Sequence, residues 1–221
     1  MTGSPAPAAP DDEAARLATT RRLGTAAREL VGLLVNSTAP TEELAAAADA
    51  LEALDDRLRP HAVSSRYEGT EGLRIDDRGA NDRLFEYHPF AGLSNPLAPP
   101  LTLIETDRGP AATVTYDHRH EGMPGKVHGG VLAAAFDLVL GAAAARAAGR
   151  PAPTGRLTIR YRIPTPVHTE LRYESRVASI DGRKIVTTAT VSTGDEVTAE
   201  AEGLFITART EMLPAVGRAD A

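Results

Sequence analysis

Four segments in the second half of the chain alternate between apolar and polar residues, as β-strands with one buried face do. In the clearest, Arg156 to Ile163, every second residue is large and apolar and the others are arginine or threonine. Pro164 and Pro166 end this segment, because proline cannot continue a strand ladder. The others are residues 171–177, 185–192 and 197–207, separated by the turn dipeptides Asp181-Gly182 and Gly194-Asp195. The pattern predicts an antiparallel meander.

A shorter pair of strand patterns precedes the meander. Residues 101–105 and 112–116 are rich in β-branched and apolar side chains, and a turn-forming segment, 107–110, lies between them. This spacing predicts a β-hairpin.

A helix is predicted between the hairpin and the meander. From Gly130 to Ala145 the only ionisable residue is Asp137, and a helix that is apolar all round is normally buried. The run is short and alanine-rich for a membrane span, and a carboxylate near its middle would be costly in hydrocarbon. We therefore expect the central helix of a soluble protein, wrapped by the sheet in an α+β fold. The alternation of strand and helix that Rossmann and TIM folds require is missing.

The first 60 residues predict a helical pair. Apolar residues recur at helical spacing from Leu17 to Leu34, and the first helix is expected to end near Asn36. Thr41 is a plausible N-cap for a second helix, which Pro60 stops. The pair could dock on the core, extend a dimer interface or bind a partner, and the pattern favours docking or dimer contact.

The predicted organisation has one core domain. Residues 1–10 are rich in proline and alanine and are expected to be disordered, and residues 61–100 lack periodicity. The aromatic residues Phe85, Tyr87 and Phe90 are expected to cover an open edge of the core. The predicted boundaries are 1–10 for a disordered tail, 11–60 for a helical extension, 61–100 for a connecting segment, 101–210 for the core domain and 211–221 for a C-terminal tail.

Composition excludes several classes of function. The chain has no cysteine, which excludes thiolate nucleophiles, disulfides and Cys-ligated zinc. Its formal net charge of −6 argues against non-specific nucleic-acid binding. No signal peptide is visible, and a cytoplasmic location is expected.

The candidate chemistry lies at the start of the central helix. His128, Gly129 and Gly130 enter the helix, where unpaired backbone N–H groups and the helix dipole favour an oxyanion. Asp137 lies on a stripe in which small residues alternate, so a neighbouring element is expected to approach closely. A lone carboxylate there could also be a helix cap or the partner of a buried arginine.

These residues resemble a known family. His128-Gly129-Gly130, with Asp137 nine positions after the histidine, is similar to the signature of hot dog fold acyl-CoA thioesterases of the phenylacetate-pathway type. The preceding loop, Glu121 to His128, resembles the subgroup of mitochondrial long-chain thioesterases. The resemblance covers roughly the second half of the chain. It implies a hot dog fold with an N-terminal helical extension.

The resemblance also implies a mechanism. The Gly129 N–H would hold the thioester oxygen, Asp137 would attack directly or activate water, and Thr154 would position the water or the carboxylate. Substrate contacts are expected from His128, Gly130 and Glu121. The substrate would be acyl-CoA. Relatives assemble this site across a dimer, with the glycine turn from one subunit and the aspartate from the other, so a homodimer or a dimer of dimers is expected. A non-catalytic acyl-CoA-binding protein is the alternative.

Neither a cofactor nor a metal is expected. His118 and His120 form an HxH pair that could ligate zinc, but no third ligand follows at helix or hairpin spacing. No nucleotide-binding motif is found. The sequence departs from many bacterial relatives at Glu121 and Gly122, where those have an asparagine nearby, and this puts a second carbonyl contact in doubt.

Overall fold

A six-stranded antiparallel sheet wraps around one long apolar helix. This computed structural model describes residues 10–63 and 85–207. The expected tail at 1–10, apart from its last residue, and the expected C-terminal tail at 211–221 lie outside these residues. Much of the expected connecting segment, 64–84, does so too.

The secondary structure follows the order that the sequence predicts. The helices are α1 (Pro10–Val35), α2 (Thr41–Leu58) and α3 (Gly129–Ala148). The strands are β1 (Thr102–Thr106), β2 (Gly109–Thr115), β3 (Glu121–Met123), β4 (Lys126–Val127), β5 (Thr154–Tyr161), β6 (Glu170–Asp181), β7 (Lys184–Thr193) and β8 (Glu196–Ile206). The large sheet has the order β1-β2-β6-β7-β8-β5, and β3 pairs with β4 in a separate hairpin.

The core lies between α3 and the concave face of the sheet. Phe136 is fully buried and meets the ring of Tyr173 on β6 edge to face, with 5.3 Å between the ring centroids. Phe205 on β8 packs against the helix beside Gly141. A Cβ at Gly203 would lie 2.4 Å from the Phe205 ring, so the glycine is what makes room for that ring. The predicted α+β fold, with a sheet wrapped around a central helix, is confirmed.

The sheet does not cover all of α3. Within the described residues, α3 alone has the length and hydropathy of a possible membrane span, and the sheet buries one of its sides. The other side, which carries Ala134, Asp137 and Gly141, stays half-buried. Because an apolar helix face is normally buried, this half-buried face of α3 leaves room for another structural element to pack against it.

Strand β5 forms one edge of the sheet. Among the described strands it pairs with β8 on one side only, so its other backbone edge is open. Arginines on its outer face, Arg156 and Arg160, lie 3.6 Å from Glu202 and Glu200 on β8. Charged edge residues of this kind discourage indiscriminate strand pairing.

Helix α1 docks on the core through polar contacts. Arg21 makes a two-pronged ion pair with the buried Glu86, which also accepts a hydrogen bond from Ser94. The Arg28 guanidinium donates to the carbonyl oxygens of Leu93 and Asn95. Docking of the first helix is therefore confirmed. Helix α2 has no buried residue.

Three local expectations were wrong. The second helix has Pro40 as its N-cap, because the Pro40 carbonyl accepts the first helical N–H groups and Thr41 is already helical. Gly182 and Arg183 form the β6–β7 turn, since the strand pairing extends to Asp181 and the positive φ falls on Gly182. The aromatic residues of the connecting segment are exposed, because that segment packs through Glu86 instead. They are Phe85, Tyr87 and Phe90.

Candidate active site

The turn that enters α3 has nearly all of its backbone groups paired. His128 is the N-cap, and its Nδ1 accepts a hydrogen bond from the Gly130 N–H at 3.0 Å. The His128 carbonyl accepts from the N–H groups of Val131 and Leu132. The His128 N–H donates to the His120 carbonyl at 2.8 Å. One donor of this turn, the N–H of Gly129, has no acceptor among the described residues.

That open donor has a chemical consequence. It lies at the positive end of a 20-residue helix, where the backbone dipoles add up and a negative oxygen is stabilised. A buried N–H normally has a partner, and this one is half-exposed and free to take one from a ligand. The geometry supports the predicted role of Gly129 as an oxyanion donor.

Tyr161, the last residue of β5, contacts the same turn. Its hydroxyl donates to the Gly129 carbonyl oxygen at 2.8 Å. The ring lies against Gly129, because a Cβ at that position would be 3.2 Å from the hydroxyl oxygen. Glycine at position 129 therefore lets the tyrosine approach the backbone.

A short turn supports the entry to α3 from behind. His118–His120 forms a single 3-10 turn that Asp117 caps through its side chain. Burial alone would raise the pKa of Asp117, but its hydrogen bonds and ion pair with Arg119 lower it to about 2. Arg119 also donates to the Arg28 carbonyl of α1 at 2.6 Å. The entry turn is thus tied through this 3-10 turn to the N-terminal helix.

Gly122 is required by the same packing. A Cβ there would lie 2.9 Å from the Cα of His128, and backbone cannot easily move aside. The hairpin β3–β4 therefore passes very close to the entry turn.

The carboxylate is held by a hydroxyl. The Oγ1 of Thr154, at the start of β5, donates to Asp137 Oδ1 at 2.7 Å. Asp137 is half-buried on an apolar helix and has no ion pair in the part of the chain that the structure describes. It is not a helix cap, and no arginine within residues 10–63 and 85–207 pairs with it. Its second oxygen, Oδ2, is available to water or substrate.

The donor and the carboxylate are far apart within one chain. Gly129 and Asp137 are eight residues apart on one helix, which is roughly 12 Å along its axis. A carbonyl held by the Gly129 N–H at hydrogen-bond distance cannot also meet the Asp137 carboxylate of the same chain. The structure thus brings the predicted site residues together as two half-sites, a turn half (His128, Gly129, Gly130) and a carboxylate half (Asp137, Thr154).

An apolar groove adjoins the turn half. It has a volume of about 310 Å³ and reaches from Gly129 and Tyr161 between the β3–β4 hairpin and the segment after β5. Its apolar walls come from Met123, Val127, Leu132, Ile163 and Pro164. A larger depression of about 460 Å³ lies on the outer face of the sheet, away from α3, and is lined by side chains of both charges.

Other candidate residues have structural partners. Glu121 accepts a hydrogen bond from the Gly125 N–H and closes the β3–β4 turn, so its substrate contact stays a prediction. His118 bonds to the Gly32 carbonyl, and the His120 ring lies against Tyr116 and hydrogen-bonds Asp117. Burial lowers the pKa of His120. Both histidines of the HxH pair are therefore engaged.

Sequence reasoning missed Tyr161. In the alternating pattern it is one more apolar position of a strand, and its contact with Gly129 joins residues 32 positions apart. The sequence offered only an indirect signal. Tyr161 carries a hydroxyl at the end of the strand that begins at the candidate residue Thr154.

Comparison with known proteins gives the family. Residues 124–200 match the model of the thioesterase superfamily. The chain is 36% identical over 88 residues to acyl-coenzyme A thioesterase THEM4 of Xenopus laevis, and 34% identical over 88 residues to the protein of that name from Bos taurus. Each match covers 39% of this chain, and 39% and 35% of the respective relatives. The chain therefore spans little more than a third of the length of these relatives.

A solved structure matches over nearly the whole chain. The crystal structure of a thioesterase superfamily protein is 33% identical and superposes with a TM-score of 0.72. The alignment covers 92% of this chain and 97% of that one, so it includes the N-terminal helical region as well as the sheet. The chain belongs to the thioesterase superfamily and has its hot dog fold.

Proposed function

We propose that the protein hydrolyses acyl-CoA thioesters to free acid and CoA, at a site shared by two copies of the chain. The observation that carries the proposal is the Asp137 carboxylate, held by Thr154 on an apolar helix without a cation partner among the described residues. Half-burying a carboxylate on an apolar helix face costs free energy unless the charge is paired, so its unpaired state favours a functional role. The names of the relatives, which are acyl-coenzyme A thioesterases, support the same substrate class.

Each group has a task in this reaction. The Gly129 N–H stabilises the negative charge that develops on the thioester oxygen. Thr154 occupies Oδ1 of Asp137, which leaves Oδ2 to attack the carbonyl carbon or to deprotonate a water that attacks it. The C–S bond then breaks, and CoA leaves as the thiol after protonation. After direct attack the acyl group remains on Asp137 as a mixed anhydride, and a water molecule then hydrolyses it to the free acid and the carboxylate. A single turnover in ¹⁸O-water identifies direct attack when the label appears on Asp137, because a water that Asp137 only activates places its oxygen on the acid product alone.

The separation of the half-sites and the open edge of β5 support the shared site that the family resemblance implies. Two β5 strands related by a two-fold axis would pair antiparallel, and residues on the same face must then lie opposite each other. A β-bulge between Thr154 and Arg156 turns Thr154 to the same face of β5 as Tyr161. Pairing centred on Thr158 therefore places Thr154 opposite Tyr161 of the second copy.

The hydrogen bonds then join the half-sites. Neighbouring strands lie about 4.8 Å apart. Thr154 is bonded to Asp137 and Tyr161 is bonded to Gly129, so pairing brings the carboxylate half of one copy to the turn half of the other. The half-buried face of α3 around Ala134 and Gly141 would be covered in the same assembly.

A panel of acyl-CoA substrates, assayed for released thiol, tests the function. We expect CoA release from at least one chain-length class, and full activity in the presence of EDTA. Binding of several acyl-CoA species without release of thiol would favour the non-catalytic acyl-CoA-binding protein instead.

A further inference from the structure

We propose that Tyr161 is a positioning residue that fixes the direction of the Gly129 N–H toward the thioester oxygen. The proposal rests on the proposed function and concerns three consecutive peptide groups at the entry to α3. The N–H of the first, His128, is bonded to the His120 carbonyl. The third, between Gly129 and Gly130, is held on both sides, by His128 Nδ1 at its N–H and by the Tyr161 hydroxyl at its carbonyl oxygen.

The middle peptide group is held at its carbonyl oxygen, which accepts from the N–H groups of Val131 and Leu132, and is further oriented by the peptides on either side. It joins His128 to Gly129, and its N–H is the open donor. Glycine has a wide range of backbone conformations, so two adjacent glycines would let this peptide rotate. Holding the peptides before and after it restricts that rotation without using the N–H itself. The donor is thereby directed before the substrate arrives, which is what electrostatic stabilisation of an oxyanion requires.

Tyr161 is suited to this task by its place in the fold. It ends β5, which is fixed to β8 by backbone pairing, and it lines the apolar groove beside Gly129. Its side chain comes from a different element than the turn, so it resists movements of the turn relative to the sheet. A hydrogen bond to the Gly129 carbonyl also polarises that peptide and strengthens the bond from its N–H to His128.

The variant Tyr161→Phe keeps the ring and removes the hydroxyl. Tyr87→Phe is the matched control, because Tyr87 is exposed and its hydroxyl has no hydrogen bond among the described residues. We expect kcat to fall about five-fold in Tyr161→Phe, the size of one neutral hydrogen bond, with KM and the melting temperature unchanged. The control should match the wild type.

A spectroscopic measurement separates positioning from general structural damage. An acyl-CoA analogue with a CH₂ group in place of the thioester sulfur presents the carbonyl but is not hydrolysed. In Tyr161→Phe the infrared stretch of its carbonyl should move to higher wavenumber, because a misdirected N–H polarises it less. A loss of kcat with an unmoved carbonyl band would overturn the proposal, and so would a kcat equal to the wild type.

Backbone dynamics give a readout that does not depend on turnover. With ¹⁵N-glycine labelling, the Gly130 amide should exchange with solvent faster in Tyr161→Phe than in wild type or the control. Unchanged exchange would contradict the positioning role. If the wild type released no thiol from any substrate, the proposed function would fail, while faster Gly130 exchange would still support the hold of Tyr161 on the turn.

Discussion

The two half-sites lie on one helix but are built in different ways. The turn half consists of backbone groups, and contacts from three elements hold it: the 3-10 turn before it, the β3–β4 hairpin and the end of β5. The carboxylate half consists of two side chains and one hydrogen bond, from Thr154 to Asp137. A backbone N–H donor points in the right direction only if the surrounding peptide groups are fixed. A side-chain carboxylate needs only one hydrogen-bond partner to orient it and room for the substrate.

The difference predicts how each half responds to mutation. Side chains of the carboxylate half can be exchanged with little effect on the fold, because neither is tightly packed. A change in the turn half alters backbone geometry that several elements share. Activity and stability should therefore separate cleanly at Asp137 and Thr154, and less cleanly around Gly129.

The largest effect is expected at the carboxylate. Asp137→Asn is nearly isosteric and can still accept the Thr154 hydrogen bond, but it is neither a useful base nor a nucleophile. We expect kcat to fall by ~10²-fold or more, with the melting temperature and acyl-CoA binding largely retained. Thiol release and calorimetric binding measure the two quantities. Turnover near the wild-type rate would remove Asp137 from the mechanism.

A smaller effect is expected at its partner. Thr154→Ala removes the hydroxyl that orients Oδ1, and the loss of one hydrogen bond to a charged group should lower kcat about ten-fold. Thr188→Ala, on the outer face of β7 and away from the open edge of β5, is the matched control and should behave as wild type. If both variants had equal rates, the Thr154 contact would have no catalytic role.

The smallest effect on activity is expected behind the turn half. Asp117 has a pKa lowered from 3.8 to about 2, which corresponds to about 2 kcal/mol of folding free energy at neutral pH. Because the folded-state pKa is the lower one, this stability is present above pH 3.8 and is lost as the pH falls toward 2. Asp117→Asn should therefore unfold at lower urea concentration at pH 7, with kcat within about two-fold of wild type.

The pH dependence provides the control. The difference in unfolding free energy between wild type and Asp117→Asn should shrink as the pH is lowered from 5 toward 2. A difference that stayed constant over this range would show that the carboxylate charge is not what stabilises the 3-10 turn.

Much of the fold could be predicted because it depends on local periodicity. The alternation in residues 156–163 and the apolar run around Asp137 each reflect one buried surface, and together they require a sheet around a helix. The pairing of Asp137 with Thr154 came from the family resemblance, and the structure shows the two in contact. The short β3–β4 hairpin was not predicted, since segments of three and two residues carry no periodicity.

What the sequence could not reveal depends on distant contacts. Tyr161 reaches Gly129 only because β5 lies beside the start of α3, and no local pattern marks that contact. The ion pair of Arg21 with Glu86, which docks α1, joins residues 65 positions apart. Such contacts depend on how the helices and strands are arranged in space, and the local pattern of apolar and polar residues does not specify that arrangement.

The central claim is that one site needs the turn half of one copy and the carboxylate half of another. Two inactive variants test it: Gly129→Val, whose side chain would collide with Tyr161, and Asp137→Asn. Each is first shown to be folded and to exchange subunits with the other. A mixed pair then contains one site with both lesions and one site with none.

Thiol release from the mixture is the decisive measurement. We expect about half of the wild-type activity for each mixed pair, and about a quarter for the total protein under random exchange, because half of the pairs are then mixed. No recovery of activity, with exchange demonstrated, would mean that each chain carries its whole site and would contradict the account.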